Sequence, residues 1–258
     1  MNKIVPLLIA LGATSAFSQS AFQGTWRLNT QTAEFKGPDK YLLQDGIWHC
    51  DSCSPKQNIK ADGKPQTVAG SPYYDMATVN VVNDRTIEIT TEKNGQHRGK
   101  HTMTASEDGK SLTSEFSFTT DSGHTGSVTT VSDRVGEPPA SENKVSGTWQ
   151  QRKLENASTN IVEFTYNVTD EGMAMSDPMG DSYLAKFDGQ DYPYKGDPGT
   201  TSVSLKKIGA NSIEETDKRN GKVITVGRMT VSPDGKTMTV TVEDKLHNQT
   251  SHWTAEKQ

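Results

Sequence analysis

A chain of 258 residues with 27 Lys+Arg against 32 Asp+Glu carries a formal net charge of −5. Without a basic stripe to neutralise phosphates, nucleic acid is excluded as an expected partner. Apolar content is only 31%, and beyond residue 18 no stretch approaches the ~20 apolar residues of a spanning helix, so no stable membrane insertion is expected. That composition suits either disorder or many short half-buried strands. Alternation in Ile87-Glu88-Ile89, Phe116-Ser117-Phe118 and Met238-Thr239-Val240-Thr241-Val242 selects strands.

Residues 1–18 read as a secretory signal: Lys3 supplies the positive start, Ile4 to Ala13 the apolar stretch, and Ala16-Phe17-Ser18 a small-x-small cleavage site. No cysteine directly follows the apolar stretch. The expectation is a secreted or periplasmic protein without a lipid anchor.

The remainder is written twice. Gly24-Thr25-Trp26 returns as Gly147-Thr148-Trp149, and from Gly46 to Thr113 the second copy lies 126 residues on, as in Gly46 to Gly172 and Ile87 to Ile213. At both ends the offset is 123, so the second copy gains three residues after its first strand and loses three around Asp121 to Gly126. Length changes of this kind mark loops. Turn signals recur in both copies, among them Asp45-Gly46, Asn94-Gly95 and Asp108-Gly109, then Asn220-Gly221 and Asp234-Gly235. Their positive φ angles suit tight hairpins.

At about eight strands per copy, the expected fold is all-β: two tandem eight-stranded antiparallel up-and-down barrels. The first spans residues 20–136 and the second 144–258, joined by a short proline-containing linker at 137–143 with no apolar anchor. Each should fold alone. The alternative is one larger sheet shared by both copies. Only Gln31 to Leu43 suggests a short helical turn, broken at Gly37-Pro38.

The opening Ala21-Phe22-Gln23-Gly24-Thr25-Trp26-Arg27-Leu28 resembles the Gly-x-Trp first strand of lipocalins, fatty-acid-binding proteins and other calycins. The second copy, and more loosely the first, is similar to secreted bacterial lipocalin-like repeats. The stretches that carry this likeness are residues 186–198, Val203-Ser204-Leu205-Lys206-Lys207-Ile208, Asp234-Gly235-Lys236-Thr237-Met238-Thr239-Val240 and Ala255-Glu256-Lys257-Gln258. The resemblance implies lipocalin-like barrels able to hold a small apolar ligand, without implying an activity. It also implies a basic residue packed over the first-strand tryptophan at barrel closure. Arg134 follows Trp26 by 108 residues and Lys257 follows Trp149 by 108, so Trp26–Arg134 and Trp149–Lys257 are the expected closing pairs.

Cys50 and Cys53 are the only cysteines and are absent from the second copy, which points to a local disulfide rather than a need of the fold. A thiol-redox enzyme is the sharper alternative. His97 and His101 are four apart but read as a solvated face, and no cofactor or metal site is expected. Glu88 and Glu214-Glu215 read as solvent-facing acids. Nucleophile-elbow, zinc-protease and phosphate-loop patterns are absent, so the chain is read as no enzyme. Binding is favoured. Tyr73 and Tyr74, with Tyr192 and Tyr194, surround corresponding turns, and Met173 and Met175 offer an adaptable lining. If the barrels are filled, a secreted structural or protein-interaction module is the alternative.

Overall fold

The computed structural model describes residues 20–141, 143–169 and 171–258; the signal segment 1–18 lies outside them. The first copy contains β1 (Gly24–Lys36), β2 (Asp39–Gln44), β3 (Ile47–Cys50), β4 (Gln57–Lys60), β5 (Gln66–Thr67), β6 (Met76–Asn83), β7 (Thr86–Lys93), β8 (Gln96–Ala105), β9 (Ser111–Thr119) and β10 (Thr125–Val135). The second contains β11 (Gly147–Glu155), a 3₁₀ turn (Thr159–Ile161), then β12 (Glu163–Thr169), β13 (Gly172–Ser176), β14 (Ser182–Ala185), β15 (Tyr192–Lys195), β16 (Ser202–Gly209), β17 (Ser212–Arg219), β18 (Lys222–Val231), β19 (Thr237–Asp244) and β20 (Gln249–Lys257).

The fold is all-β, with ten strands per copy rather than the expected eight. Short elements such as β4, of four residues, and β5, of two, span too little chain to display alternation. The helical turn expected in Gln31 to Leu43 is instead the end of β1 and most of β2. Hairpin chemistry follows the sequence closely. Asn94-Gly95 and Asn220-Gly221 take positive φ at both positions, 53° and 75° in the first copy and 51° and 79° in the second, which matches strand twist in a two-residue turn.

The sheets do not follow the repeats. One antiparallel sheet, the N-terminal sheet, has the order β4-β3-β2-β11-β10-β9-β8-β7-β6-β5, while β1 joins β12 through β20 in a closed ten-stranded barrel, the C-terminal barrel. The first strand of each copy completes the sheet of the other. β1 pairs with β12 at Gly24–Tyr166 and with β20 at Trp26–Lys257, and β11 makes the matching pairs with β2 at Gly147–Tyr41 and with β10 at Trp149–Arg134.

A strand stays in its own sheet only if the chain turns back after it. Residues 28–36 and 151–158 contain neither Gly nor Pro, so both segments run on. Running on is rewarded by bonds: Glu34, Phe35 and Lys36 pair with His252, Ser251 and Thr250, and the Gln150 amide donates to the Phe35 carbonyl at 2.5 Å. Turn residues Gly136, Pro138 and Pro139 lie instead between β10 and β11, two neighbours in one sheet. The 137–143 segment is therefore the loop of a hairpin, not a link between barrels; the crossings are Gly37-Pro38 and the β11–β12 connection. The loop is also anchored. Val145 and Ser146 just beyond it are buried, Ser141 Oγ donates to Leu43 O at 2.7 Å, and Ser146 Oγ accepts from Leu43 N at 2.9 Å.

Exchange also corrects the closing pairs. Arg134 lies over Trp149, 4.1 Å from the ring centroid, and Lys257 over Trp26 at 5.0 Å. Equal spacing in the two copies fits either pairing, so spacing alone could not choose between them. Both indoles are fully buried, and each Nε1 donates at 2.8 Å to the carbonyl four residues earlier, Phe22 and Val145. Arg134 additionally donates to the carbonyls of Gly109 (2.5 Å), Ser146 (2.8 Å) and Lys144 (2.6 Å), whereas Lys257 reaches only Ala21 O, at 3.2 Å. Each sheet owns a core, around Trp48, Ile87, Met103 and Trp149 in one and Trp26, Met173, Leu205 and Met238 in the other.

Candidate functional site

Strand alternation turns Ile89 and Thr91 of β7, Gly99, His101 and Met103 of β8, and Phe116 and Phe118 of β9 toward the inside of the N-terminal sheet, where they line a cavity of about 590 Å³. Tyr41 and Trp48 form another wall, stacked at 5.4 Å. Phe116 is 40% exposed although it points inward, because it faces this space. It stacks on Phe118 at 5.5 Å and meets the His101 ring edge-on at 5.8 Å. Tyr41, His101 and Phe116 also border a neighbouring hollow of about 320 Å³ that reaches Leu112, Ser114 and Trp149.

The walls are mainly apolar, but Asp121, Asp177, Asp181 and Asp197 also line the cavity, and burial raises the Asp177 and Asp181 carboxyls above the usual range. Gln57 donates to Tyr74 Oη at 2.6 Å. The Trp48 indole N–H is buried without a partner. Burial pushes the His101 imidazole down to about 4, so it is neutral at pH 7. At the rim, Asp121 bridges Lys93 at 2.8 Å and Arg98 at 3.0 Å. The rim is where the two copies differ in length: Thr120 and Asp121 lie in the longer β9–β10 loop, and Ile161 ends the 3₁₀ turn in the added segment after β11. Met179, Gly196, Asp197 and Pro198 of the second copy complete it.

The C-terminal barrel encloses about 170 Å³. In the same register, where Ile89 opposes His101 and Thr91 opposes Gly99, it places Glu215 opposite Gly227 and Asp217 opposite Thr225. Tyr183 Oη donates to Glu215 Oε2 and Thr225 Oγ1 to Asp217 Oδ2 at 3.2 Å, while Asp217 Oδ1 is buried without a partner. Burial raises both carboxyl pKa values, and repulsion between neighbouring acids adds to it. Phe164, Tyr166 and Trp253 line the same space, with Phe164 5.4 Å from Tyr166 and 6.2 Å from Trp253.

The residues singled out from sequence divide between the two sheets. Tyr73 and Tyr74 line the large cavity. Met175 lines the small one, Met173 is fully buried core, and Tyr192 and Tyr194 pack against that core. The two corresponding turns meet at the large cavity, which Gly196, Asp197 and Pro198 line together with Tyr73 and Tyr74, whereas the Tyr192 and Tyr194 rings turn toward the C-terminal core. Cys50 and Cys53 form a disulfide at the wall of the large cavity. Of the two histidines expected on a solvated face, His97 is exposed, but His101 lies inside. Glu88 pairs with Lys100 at 2.6 Å and Glu214 with Arg228 at 3.0 Å outside the sheets, whereas Glu215 is inward, against the expectation of a solvent-facing acid. Period-two alternation from Ile213 through Glu215 to Asp217 carries the signal that would have found it.

Among the described residues no helix is long and apolar enough to cross a membrane, and no group of His, Cys, Asp and Glu is arranged to hold a metal ion. Comparison with protein-family models, curated proteins and solved structures finds no match to this chain.

Proposed function

We propose that the chain is an exported, non-catalytic carrier whose N-terminal sheet holds one small, largely apolar molecule. The observation that carries this reading is the 590 Å³ cavity walled by Tyr41, Trp48, Ile89, Met103, Phe116 and Phe118. Its volume falls within the ~300–1,000 Å³ of small-molecule sites, and isolated polar groups among apolar walls are how such sites orient a ligand. The partnerless Trp48 N–H and the neutral His101 ring supply that polar end. The resemblance to lipocalin-like repeats agrees with such a role, and the Cys50–Cys53 disulfide agrees with an oxidising compartment.

Native mass spectrometry of protein purified from its own source should show a retained small molecule. The neutral probe N-phenyl-1-naphthylamine should brighten saturably on binding. Thr91→Phe, which fills the cavity from a position already facing it, should weaken probe binding by about tenfold or more. Retention of full probe affinity by Thr91→Phe, together with no bound molecule in native protein, would favour the interaction-module reading instead.

A further inference from the structure

We propose that the C-terminal barrel holds a second binding site, adjoining the large cavity at Asp177, which lines both, and that this site takes a small organic ammonium ion. The space beside Glu215 and Asp217 is about 170 Å³ and is walled by Phe164, Tyr166 and Trp253, the size and chemistry for a cationic head a few heavy atoms across. Aromatic faces attract a desolvated cation, and carboxylates opposite them supply the counter-charge. No Lys, Arg or His lines this cavity. Among the described residues neither Glu215 nor Asp217 has an ion-pair partner, although most exposed acids nearby, such as Glu214 and Glu243, do.

Buried carboxylates without a countercharge are costly to keep ionised. Here the protein retains two of them and leaves Asp217 Oδ1 with no hydrogen bond at all. A bound ammonium beside the pair would supply the missing charge. A hard metal ion fits less well, because aromatic and thioether groups fill the remaining wall, Met175 and Met229 included. The first copy has Ile89 and Thr91 at these positions, so the feature belongs to one barrel and is no requirement of the repeat.

Ligand binding should be coupled to protons. Tyr166 on β12, Tyr183 on β14 and Tyr194 on β15 face the carboxylates from the neighbouring strands, and Asp177, Asp181 and Asp197 add negative charge from the adjacent loops. Burial above all, then repulsion between the two carboxylates and from Asp197, opposes ionisation of the pair more than the Tyr183 and Thr225 hydrogen bonds favour it, so an incoming cation must displace a proton that the pair holds.

The test is calorimetric titration of the full chain with propylammonium chloride in phosphate and in HEPES at neutral pH. The expected result is saturable binding of one equivalent, tighter as pH rises, with heats that differ between buffers because protons are released. The neutral isostere 1-propanol should not bind. Glu215→Gln, which keeps an acceptor for Tyr183, and Asp217→Asn should each weaken propylammonium by about tenfold, while Glu88→Gln, on the outer face, should not. Absence of saturation up to roughly ten millimolar, equal binding of 1-propanol, or a calcium chloride heat of the same size abolished by the same two substitutions would each overturn the proposal. Proton release is measured on the unaltered protein, so it stands even if a variant fails to fold.

Discussion

Where the N-terminal sheet turns Ile89, Thr91, Gly99 and His101 inward, the C-terminal barrel turns in Glu215, Asp217, Thr225 and Gly227. At these strand positions one interior is apolar, beside a cavity of about 590 Å³, and the other is acidic, beside a cavity of about 170 Å³. Both are framed by the same buried tryptophan under a cation. Frame and interior are therefore separable: alternate strand positions can be rewritten without disturbing register, since the hydrogen-bond ladder is made by the backbone and each inward side chain meets only its own cavity.

The largest effect should come from cutting the chain between the two copies. Because β1 completes the C-terminal barrel and β11 the N-terminal sheet, residues 20–137 and 144–258 made separately should each lose cooperative unfolding, and made together should copurify as a one-to-one complex. Two independently folding, non-associating halves would show that exchange is dispensable and that each copy can reclaim its own first strand.

The closing cations sharpen the comparison next. Arg134→Ala removes three hydrogen bonds to carbonyls as well as the contact with Trp149 and should cost about 2–4 kcal/mol. Lys257→Ala, with one such bond near the chain end, should cost about 1 kcal/mol. Urea midpoints of the two variants measure the difference, and equal losses would mean that the frame is the same strength on both sides.

Titration should split the two interiors in opposite directions. His101 is depressed to about 4 by burial, so the unfolded chain binds more protons between there and the ordinary value near ~6.5, and stability falls on acidification through that window. Glu215 and Asp217 are raised, so the folded chain binds more protons above the ordinary carboxylate range near ~4, and their contribution is lost as pH rises. Each effect should be on the order of 1–3 kcal/mol. In thermal melts against pH, His101→Leu should remove a loss on acidification confined to the window between about 6.5 and 4, while Glu215→Gln should remove a loss on alkalisation that overlaps that window and continues above it. A response of the same sign from the two variants would break the assignment.

The disulfide closes a very short loop between Cys50 and Cys53 and should contribute only about 2 kcal/mol or less to stability. Since both cysteines line the large cavity, mild reduction should lower probe affinity in the N-terminal sheet and leave propylammonium binding unchanged. Loss of both would mean that the interiors are coupled through the shared strands.

Sequence alone determined what is local. Repetition, hairpins such as Asn94-Gly95, the disulfide and the two closing tryptophans follow from turn stereochemistry, short loop closure and alternation, all of which act over a few residues. Even the length changes that build the rim of the large cavity are visible as shifts in the repeat offset. Only the tertiary structure decided which sheet receives β1 and β11, because Gly24-Thr25-Trp26 and Gly147-Thr148-Trp149 present nearly the same edge to either partner. It also decided that His101 and Glu215 face opposite chemistries. An inward position sets that a side chain is enclosed, but whether it is met by phenylalanine rings or by another carboxylate depends on strands far apart in the chain, brought together only when the sheet closes.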